Sequence, residues 1–329
     1  MKRFIRLTLI SFATFFLIVI LVLTGFGITS LIRESHNAKD IAPLTGRFVH
    51  TDSGQIFIQE MGPEKGKPIL FIHGSLAWSE TWKEVMKPLS EQGFRTIALD
   101  LPPFGFSERP LAPAYTARDQ ARRIISLVDK LAIKPILVGH SFGGSPTIEA
   151  AIIAPERFSG LILIDVAVDP NGSSNQSPNP IIAEFLKTGV LRNSFISTTL
   201  TNPLLTKYLL QKFIYKKETA TDKIVNIYQQ PLKIRGSTNA LGDWLPSLLF
   251  PQQGLLNQRS ENYQKLSLPT LIIWGDKDSI TPLNKGQDLN QLIPNSRLMI
   301  LNGVGHIPQI EDVGQLNHAL ERGLAKLNL

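Results

Sequence analysis

Residues 135–144 read PILVGHSFGG, and the interpretation of the whole chain starts from this stretch. An apolar, β-branched run ends at Gly139, a serine follows two residues later, and a helical pattern begins after Gly143. G-x-S-x-G between a strand and a helix is typical of a nucleophile elbow, a tight turn that presents a serine hydroxyl at a helix N-terminus. Side chains at Gly139 and Gly143 would clash with the strand and the helix. We therefore predict that Ser141 is an exposed nucleophile.

The composition favours a large folded core and excludes several kinds of site. The chain has 329 residues, of which 43% are hydrophobic and 19% are charged, and it has no cysteine. Disulfides, thiol catalysis and cysteine zinc sites are therefore excluded, and we expect neither a metal nor a cofactor. The net charge is +7, but the basic residues are scattered and form no stripe interleaved with aromatics. We therefore expect no nucleic-acid partner.

The N-terminus has the pattern of a membrane segment. Three basic residues (Lys2, Arg3 and Arg6) precede an uncharged run over residues 7–32, and about 20 apolar residues suffice to cross a bilayer. The run is longer than the apolar core of a cleaved signal peptide and lacks an A-x-A cleavage site. We predict a cytoplasmic stub (1–6), a single-pass signal anchor (7–32) and a linker (33–45), with a cleaved secretory signal as the alternative. Positive charge is heavier before the run, which places the rest of the chain outside the cytoplasm.

Strand and helix patterns alternate over residues 46–169 and 266–329. Strands are predicted at 47–51, 55–59, 68–72, 94–99, 135–139, 160–166, 269–274 and 296–301, and helices at 79–92, 117–131, 146–154, 282–292 and 309–327. We expect Pro88 to kink the first of these helices or to end it early. This alternation predicts an α/β fold with a mostly parallel sheet covered by helices on both faces.

Residues 170–265 interrupt that alternation. A breaker-rich linker at 170–180 precedes apolar helical pieces at 181–191, 203–215, 221–228 and 244–250. We predict an inserted helical cap over 170–265, which divides the α/β core into 46–169 and 266–329.

A serine nucleophile needs a base, and the base needs an orienting acid. In open α/β sheets the active groups follow the carboxyl ends of strands. His306 alone among six histidines lies in a glycine-rich loop after a late strand, so we predict that it is the base. We favour Asp278 as the acid. Asp276 is close enough to its strand end to cap the turn, and Asp165 lies inside its strand pattern.

The oxyanion of an acyl-transfer reaction would need two backbone N–H donors. The first should be that of Phe142, the residue after the nucleophile. The second should come from the loop after residues 68–72, where Ser75 is the best candidate and Leu76 the next.

Five motifs in a fixed order give the chain a resemblance to a known family. They are HGS (73–75), DLPPFGFS (100–107), GHSFGG (139–144), WGDKD (274–278) with Pro282, and GVGH (303–306). The chain resembles the α/β-hydrolase fold superfamily, in its lid-bearing branch often called the abhydrolase-1 group, from about residue 45 onward apart from the cap.

The resemblance implies roles for single residues. It implies Ser141 as nucleophile, Asp278 as acid and His306 as base, with the N–H groups of Ser75 and Phe142 as oxyanion donors. Dehalogenases and epoxide hydrolases of similar shape carry aspartate at the elbow, so the serine argues against them. Pro103 departs from the pattern, because the family usually has glycine there and proline cannot take a positive φ. We therefore expect a rearranged loop at that point.

These residues predict a serine hydrolase of the esterase or lipase type that works through an acyl-enzyme. The cap is rich in large apolar residues, which favour a hydrophobic substrate but would equally form the cap's own core: Phe185, Leu186, Tyr208, Leu209, Phe213, Ile214, Tyr215, Trp244 and Phe250. The same triad would serve a C–C bond hydrolase of ring-cleavage products. A ligand-binding module without catalysis is the alternative from outside the enzymes.

Overall fold

The computed structural model describes residues 2–172, 179–250 and 252–327. Its strands are β1 (Gly46–Thr51), β2 (Gly54–Met61), β3 (Pro68–Ile72), β4 (Arg95–Leu99), β5 (Ile136–His140), β6 (Gly160–Ile164), β7 (Thr270–Gly275) and β8 (Ser296–Leu301). Its α-helices are α1 (Lys2–Arg33), α2 (Ala38–Ile41), α3 (Lys83–Glu91), α4 (Ala117–Leu131), α5 (Gly144–Ile153), α6 (Pro180–Lys187), α7 (Gly189–Thr198), α8 (Thr206–Phe213), α9 (Asp222–Gln229), α10 (Ser237–Leu249), α11 (Ser260–Gln264), α12 (Leu283–Leu292), α13 (Pro308–Glu311) and α14 (Val313–Lys326).

The eight strands form one sheet in the order β1-β2-β4-β3-β5-β6-β7-β8. The pairs β1–β2 and β2–β4 are antiparallel, and every other neighbouring pair is parallel. Apolar clusters cover both faces: α4, α5 and α12 contribute to one, and α3 and α14 to the other. This confirms the predicted mostly parallel sheet between two layers of helices. It also brings the carboxyl ends of β5, β6, β7 and β8 to one edge.

Hydrogen bonds from side chains explain where α4 begins and why α3 continues past its proline. Thr116 and Asp119 form a reciprocal capping box at the start of α4, which therefore begins where the pattern predicted. The prediction that Pro88 ends its helix early was wrong, since α3 continues to Glu91. Proline leaves the carbonyl of Glu84 without its helical donor, and the side-chain amide of Asn317 donates to that carbonyl at 3.4 Å instead.

The cap region is helical, but its elements differ from the predicted pieces. The piece expected at 181–191 is two helices, α6 and α7, and the one expected at 244–250 begins earlier, as α10. Inside the cap, Trp244 packs edge-on against Phe104 and Phe142 of the core, so the cap shares an apolar cluster with the elbow. Part of the linker predicted at 170–180 lies outside the described residues. The domain boundaries themselves stay a prediction.

The N-terminal helix α1 is long and apolar enough to span a membrane or to serve as a signal sequence. The segment expected to be a plain linker at 33–45 contains the short helix α2. Its apolar residues pack beside a buried cluster that includes Phe57 and Ile234. The linker is therefore attached to the core and the cap rather than free of them.

Candidate active site

Ser141 lies at the apex of a sharp turn between β5 and α5, with a φ of +51°. A Cβ at Gly139 would lie 2.6 Å from the hydroxyl oxygen of Thr147 on α5. A Cβ at Gly143 would collide with the carbonyl oxygen of His73, next to β3. The predicted need for glycine at both positions is therefore confirmed. The serine is not exposed, however: it is 8% accessible, because the cap covers this edge of the sheet.

The three side chains predicted to form a triad meet at the carboxyl edge of the sheet. Nε2 of His306 lies 2.8 Å from Oγ of Ser141, and Nδ1 lies 2.8 Å from Oδ2 of Asp278. An Nδ1–H that donates to the carboxylate leaves Nε2 free to accept the serine proton. The histidine is almost completely buried, so solvent does not compete for either bond.

The carboxylate of Asp278 accepts hydrogen bonds from its own loop and from His306. Burial alone would raise the pKa of Asp278, but hydrogen bonds from His306 and Thr281 outweigh it and lower that pKa below its usual value. The hydroxyl of Thr281 donates to Oδ2 at 2.6 Å, and the backbone N–H groups of Ile280 and Thr281 donate to Oδ1. A carboxylate that stays ionised can orient the imidazole and stabilise its positive charge.

The two competing aspartates have other surroundings. Asp276 accepts the N–H of Gly303 at 2.6 Å and pairs with Lys277, so it binds its turn rather than His306. Asp165 follows β6, is fully buried, and accepts the N–H of Gly275 at 2.8 Å through Oδ1.

The second oxygen of Asp165 has no donor among the described residues. Burial, followed by the negative charge of the neighbouring Asp278, raises the pKa of Asp165 well above its ordinary value. Two adjacent carboxylates without a proton between them would repel. The surroundings of the two carboxyls therefore shift their pKa values in opposite directions, upward for Asp165 and downward for Asp278.

Hydrogen bonds with His140 and Glu311 fix the loop that carries His306. Nε2–H of His140 donates to the carbonyl of His306 at 2.8 Å, and Nδ1 of His140 accepts from Gln309. Burial, and then the charge of His306, lowers the pKa of His140 to about 3, so it stays neutral and keeps this tautomer. Glu311, itself buried, accepts the N–H groups on either side of the base, from Gly305 at 2.9 Å and from Ile307 at 3.1 Å.

The same glutamate binds the cap. Its Oε2 also accepts the backbone N–H groups of Tyr215 and Lys216, at 2.8 and 3.2 Å. In addition, the N–H of His306 donates to the carbonyl of Phe213 at 3.2 Å. The segment after α8 and the loop of the base are therefore one hydrogen-bonded unit.

The loop after β3 lies against the elbow. A Cβ at Gly74 would come within 3.1 Å of the Cβ of Ser141, and Ser75 and Leu76 line an apolar cavity beside it. In the part of the chain that the structure describes, neither Ser75 nor Leu76 donates its N–H to another residue. Burial lowers the pKa of His73 to about 4, and this neutral ring joins Gly74 to Leu101 through hydrogen bonds at 2.8 and 2.9 Å.

Pro103 lies in the loop where a departure was expected. The peptide between Pro102 and Pro103 is cis, and the positive φ of this loop falls on Gly105 instead, at +60°. A Cβ at Gly105 would collide with the side chain of Asp100, whose carboxylate accepts the N–H groups of Ser79 and Phe106 at 2.7 Å each. Burial raises the pKa of Asp100 to about 7 despite these bonds. The loop therefore folds around a buried carboxyl.

Two cavities adjoin this edge. A cleft of about 830 Å³ is lined by Phe142, Val166 and Thr281 of the core together with Ile182 and Leu249 of the cap. The smaller apolar cavity lies on the side of Ser75 and Leu76, between the core and α8. Among the described residues there is no group of three carboxylate or imidazole side chains arranged to hold a metal ion.

Sequence reasoning missed two residues that support the site, Thr281 and Glu311. Thr281 follows Asp278 by three residues, a spacing at which a hydroxyl can turn back onto a carboxylate. Glu311 follows His306 by five residues, and only its burial shows that it serves the backbone around the base. The sequence therefore indicated the role of Thr281 but gave no indication of the role of Glu311.

The comparisons with known proteins agree with this geometry. The family model described as "alpha/beta hydrolase fold" matches residues 67–313. The chain is 30% identical over 295 residues to a 2-hydroxymuconate semialdehyde hydrolase of Pseudomonas putida, covering 88% of this chain and 98% of that protein. It is 27% identical over 256 residues to Lipase 3 of Moraxella sp. (strain TA144), covering 75% and 74%.

Among solved structures, a membrane phospholipase A is similar over the whole chain. Its TM-score is 0.68 at 23% sequence identity, and the match covers 100% of this chain and 99% of that one. This likeness concerns the fold, and it includes the long N-terminal helix. The two curated relatives named above are a 2-hydroxymuconate semialdehyde hydrolase and a lipase by name, so hydrolysis is what they share. This chain belongs to the α/β-hydrolase fold family.

Proposed function

We propose that this protein is a membrane-anchored serine hydrolase that cleaves a hydrophobic acyl ester. The observation that carries the proposal is the continuous set of hydrogen bonds from Ser141 through His306 to an ionised Asp278. A serine without such partners is a weak nucleophile, and this arrangement is the one that activates it.

The proposed reaction follows from those atoms. His306 accepts the proton of Ser141 at Nε2 as Oγ attacks the acyl carbonyl, and Asp278 stabilises the imidazolium. The N–H groups of Phe142 and of Ser75 or Leu76 stabilise the tetrahedral oxyanion. The leaving alcohol takes the proton from Nε2, and a water molecule then releases the acyl group by the same proton path in reverse.

A short apolar group of the ester suits the cavity beside Ser75, whose volume is about 70 Å³. Leucines 200, 209, 210 and 232 line it together with Phe213 and Ile307, and its described lining carries no charge. The cleft on the other side of Phe142 has a volume of about 830 Å³, which is in the range of roughly 300–1,000 Å³ usual for ligand pockets. An acyl chain on one side and the alcohol part on the other would fill both.

A second candidate is carbon–carbon bond hydrolysis, which the 30% identity to the 2-hydroxymuconate semialdehyde hydrolase favours. A muconate or dienoate substrate is a carboxylate by its chemistry and needs a cation in the pocket. Among the described residues that line the two cavities, Lys285 at the cleft is the only basic side chain. The cavity beside Ser75 therefore lacks the cation that such a substrate needs, and its lining favours the neutral ester.

For localisation we propose that α1 is an uncleaved single-pass anchor with the hydrolase outside the cytoplasm. Lys2, Arg3 and Arg6 come before the apolar run. The first basic residue after it, Arg33, is paired with Glu34 at 3.0 Å, which removes its opposing charge. A protease added to intact cells should digest the domain. Digestion only after lysis would reverse this topology.

Labelling of the full chain in detergent with a fluorophosphonate probe tests the nucleophile. We expect labelling of the parent and none of Ser141→Ala. Ser75→Ala is the matched control, because its proposed role uses only the backbone N–H and labelling should persist. Persistent labelling of Ser141→Ala would contradict the proposal, and a folded parent that binds ligands without being labelled would favour the ligand-binding module.

Substrate class is tested next with p-nitrophenyl esters of increasing chain length and with a dienol-diketone ring-cleavage product. We expect kcat/KM to rise with acyl length from acetate to octanoate, since each added methylene buries apolar surface. Turnover of the dienol-diketone without ester hydrolysis would establish the second candidate instead.

A further inference from the structure

The anchor helix does not stand apart from the cap. Helix α1 packs along α7, and Val19, Leu23, Phe26 and Gly27 are half-buried while the other residues from 18 to 29 are exposed. Ser30, one turn further on, is buried. These positions recur every three or four residues, so they form one face of α1, turned toward the cap.

Polar bonds fix the end of the anchor to the cap. The guanidinium of Arg33 donates to the carbonyls of Thr201 and Leu232, at 2.5 and 3.2 Å, and pairs with Glu34. Glu34 is buried and accepts the N–H and the hydroxyl of Thr238 at the start of α10. A buried charge held by this many donors does not reorient freely. The cap therefore has one orientation relative to α1.

That orientation places part of the cap at membrane depth. About 20 residues cross the hydrocarbon layer, and every window of about that length within 7–32 contains residues 13–26. The half-buried face of α1 reaches down to Val19, which lies inside that range. Since Thr201, just after α7, meets Arg33 at the top of α1, the start of α7 lies lower, beside the apolar run.

The outer side of α7 is suited to lipid. Val190, Leu191 and Phe195 are exposed, at 79%, 47% and 43% of their surface. The one charged residue of the helix, Arg192, is turned inward and pairs with Asp243 at 2.7 Å. A helix surface without a free charge is what an apolar medium tolerates.

This apolar surface continues to the mouth of the cleft. Helix α7 packs on α6 and α10, and those two helices supply Ile182, Leu248 and Leu249, each about half exposed, to the cleft rim. We define the membrane face as Val190, Leu191 and Phe195 together with this rim. It runs from the anchor to the cavity that reaches Phe142, beside the nucleophile.

We propose that the membrane face contacts the lipid bilayer and seats the cleft on it, so that an acyl lipid enters the active site directly from the membrane. The proposal rests on the proposed anchor and hydrolase and adds the substrate source and the surface that meets it. Continuity with α1 is the reason for choosing a bilayer rather than a second copy of the chain as the partner.

Fluorescence quenching by lipids tests the contact. The chain has no cysteine, so Val190→Cys gives a single attachment point for an environment-sensitive fluorophore on the full chain. The protein is placed in phosphatidylethanolamine–phosphatidylglycerol vesicles in which part of the lipid carries brominated acyl chains. Lys65→Cys is the matched control, because it lies in the turn before β3, at the opposite edge of the sheet.

We expect quenching at position 190 and none at 65. Equal fluorescence at both positions, in protein that floats with the vesicles, would overturn the proposal. So would energy transfer between fluorophores at position 190 of two copies without lipid quenching, because it would mean that a second copy covers this face.

Activity separates failure of this proposal from failure of the proposed function. Val190→Asp and Leu191→Asp should lower hydrolysis of vesicle lipid about tenfold, because charge at this depth opposes insertion, and leave hydrolysis of p-nitrophenyl acetate unchanged. Unchanged vesicle hydrolysis in both variants would overturn the membrane face alone. Absence of ester hydrolysis in the parent would instead overturn the proposed function.

Discussion

The carboxyl edge of the sheet and the cap that covers it are built in different ways. At the edge, short motifs demand specific backbone conformations: Ser141 takes a positive φ, and a side chain on either flanking glycine would collide with a neighbour. In the cap, apolar residues on separate helices form clusters that tolerate exchange of similar volumes. The chemistry is therefore fixed by a few residues, whereas the shape of the substrate cavity depends on many.

The largest expected effect is a difference in kcat between variants of the two neighbouring carboxyls at this edge. Asp278→Asn should lower kcat about 10⁴-fold, because the charge that orients and stabilises His306 is lost. Asp165→Asn should change kcat by no more than a few-fold, because the group it replaces is already neutral and the amide keeps an acceptor for Gly275. Steady-state kinetics of the parent and both variants on one ester measure these changes in kcat. An equal loss in both variants would mean that the charge is shared between the carboxyls.

A smaller effect is expected where the cap meets the edge. Glu311→Ala leaves four N–H groups without their acceptor: those of Gly305 and Ile307, whose bonds are buried, and those of Tyr215 and Lys216, whose bonds are partly buried. We expect the free energy of unfolding to fall by about 3 kcal/mol and kcat to fall about tenfold or more, with the larger change in kcat than in KM because the base is displaced.

Urea unfolding and kinetics of the same preparation measure both changes. Glu261→Ala, at an exposed position on α11, is the control and should alter neither quantity. Loss of stability with an unchanged kcat would show that Glu311 holds the cap without positioning His306.

The smallest effect concerns pH. The pKa of Asp165 is raised in the folded state, so the folded protein holds a proton that the unfolded chain releases above about pH 4. Its contribution to stability is complete below that pH and is lost as the pH rises. The Asp165→Asn variant has no titrating carboxyl at this position, so its stability does not fall in this way as the pH rises. Relative to the parent, its free energy of unfolding should therefore rise as the pH increases above about 4.

Urea unfolding of both proteins at several pH values gives this difference directly. Asp276→Asn is the control, because the lowered pKa of Asp276 means that it is ionised in both states above about pH 5. Its difference from the parent should stay constant with pH. A constant difference for Asp165→Asn as well would show that Asp165 is ionised in the folded protein.

Most of the carboxyl edge of the sheet could be predicted, because the sequence patterns that indicate it are short and local. A β-branched run that stops at glycine fixes β5 and the elbow, and the order of Ser141, Asp278 and His306 follows from strand ends in chain order. The helix α4 was predicted to the residue from its regular apolar face, and the structure shows that a capping box begins it there. Such signals need no knowledge of distant contacts.

The remainder depended on contacts between distant segments. The side-chain amide of Asn317 donates to the carbonyl that Pro88 leaves without a helical donor. No residue near Pro88 in the sequence indicates this contact. The contact between the elbow and the cap is made by Trp244, which packs on Phe142 from about a hundred positions later in the chain. The fixed position of residues 33–45 depends on Thr201 and Thr238. Side-chain spacing within one helix carries no information on such partners.

The backbone angles around the nucleophile carry a cost for the rest of the protein. Five non-glycine residues in the described part of the chain have a positive φ, and three of them, Leu76, Ser141 and Asp165, lie at the active edge. Such a conformation costs on the order of 1 kcal/mol per residue. Glycine at any of the three would relieve that cost, and at Ser141 it would remove the hydroxyl. Evolution toward greater thermal tolerance can therefore act at Leu76 and Asp165 or elsewhere in the chain, but the cost at Ser141 has to remain in any active form.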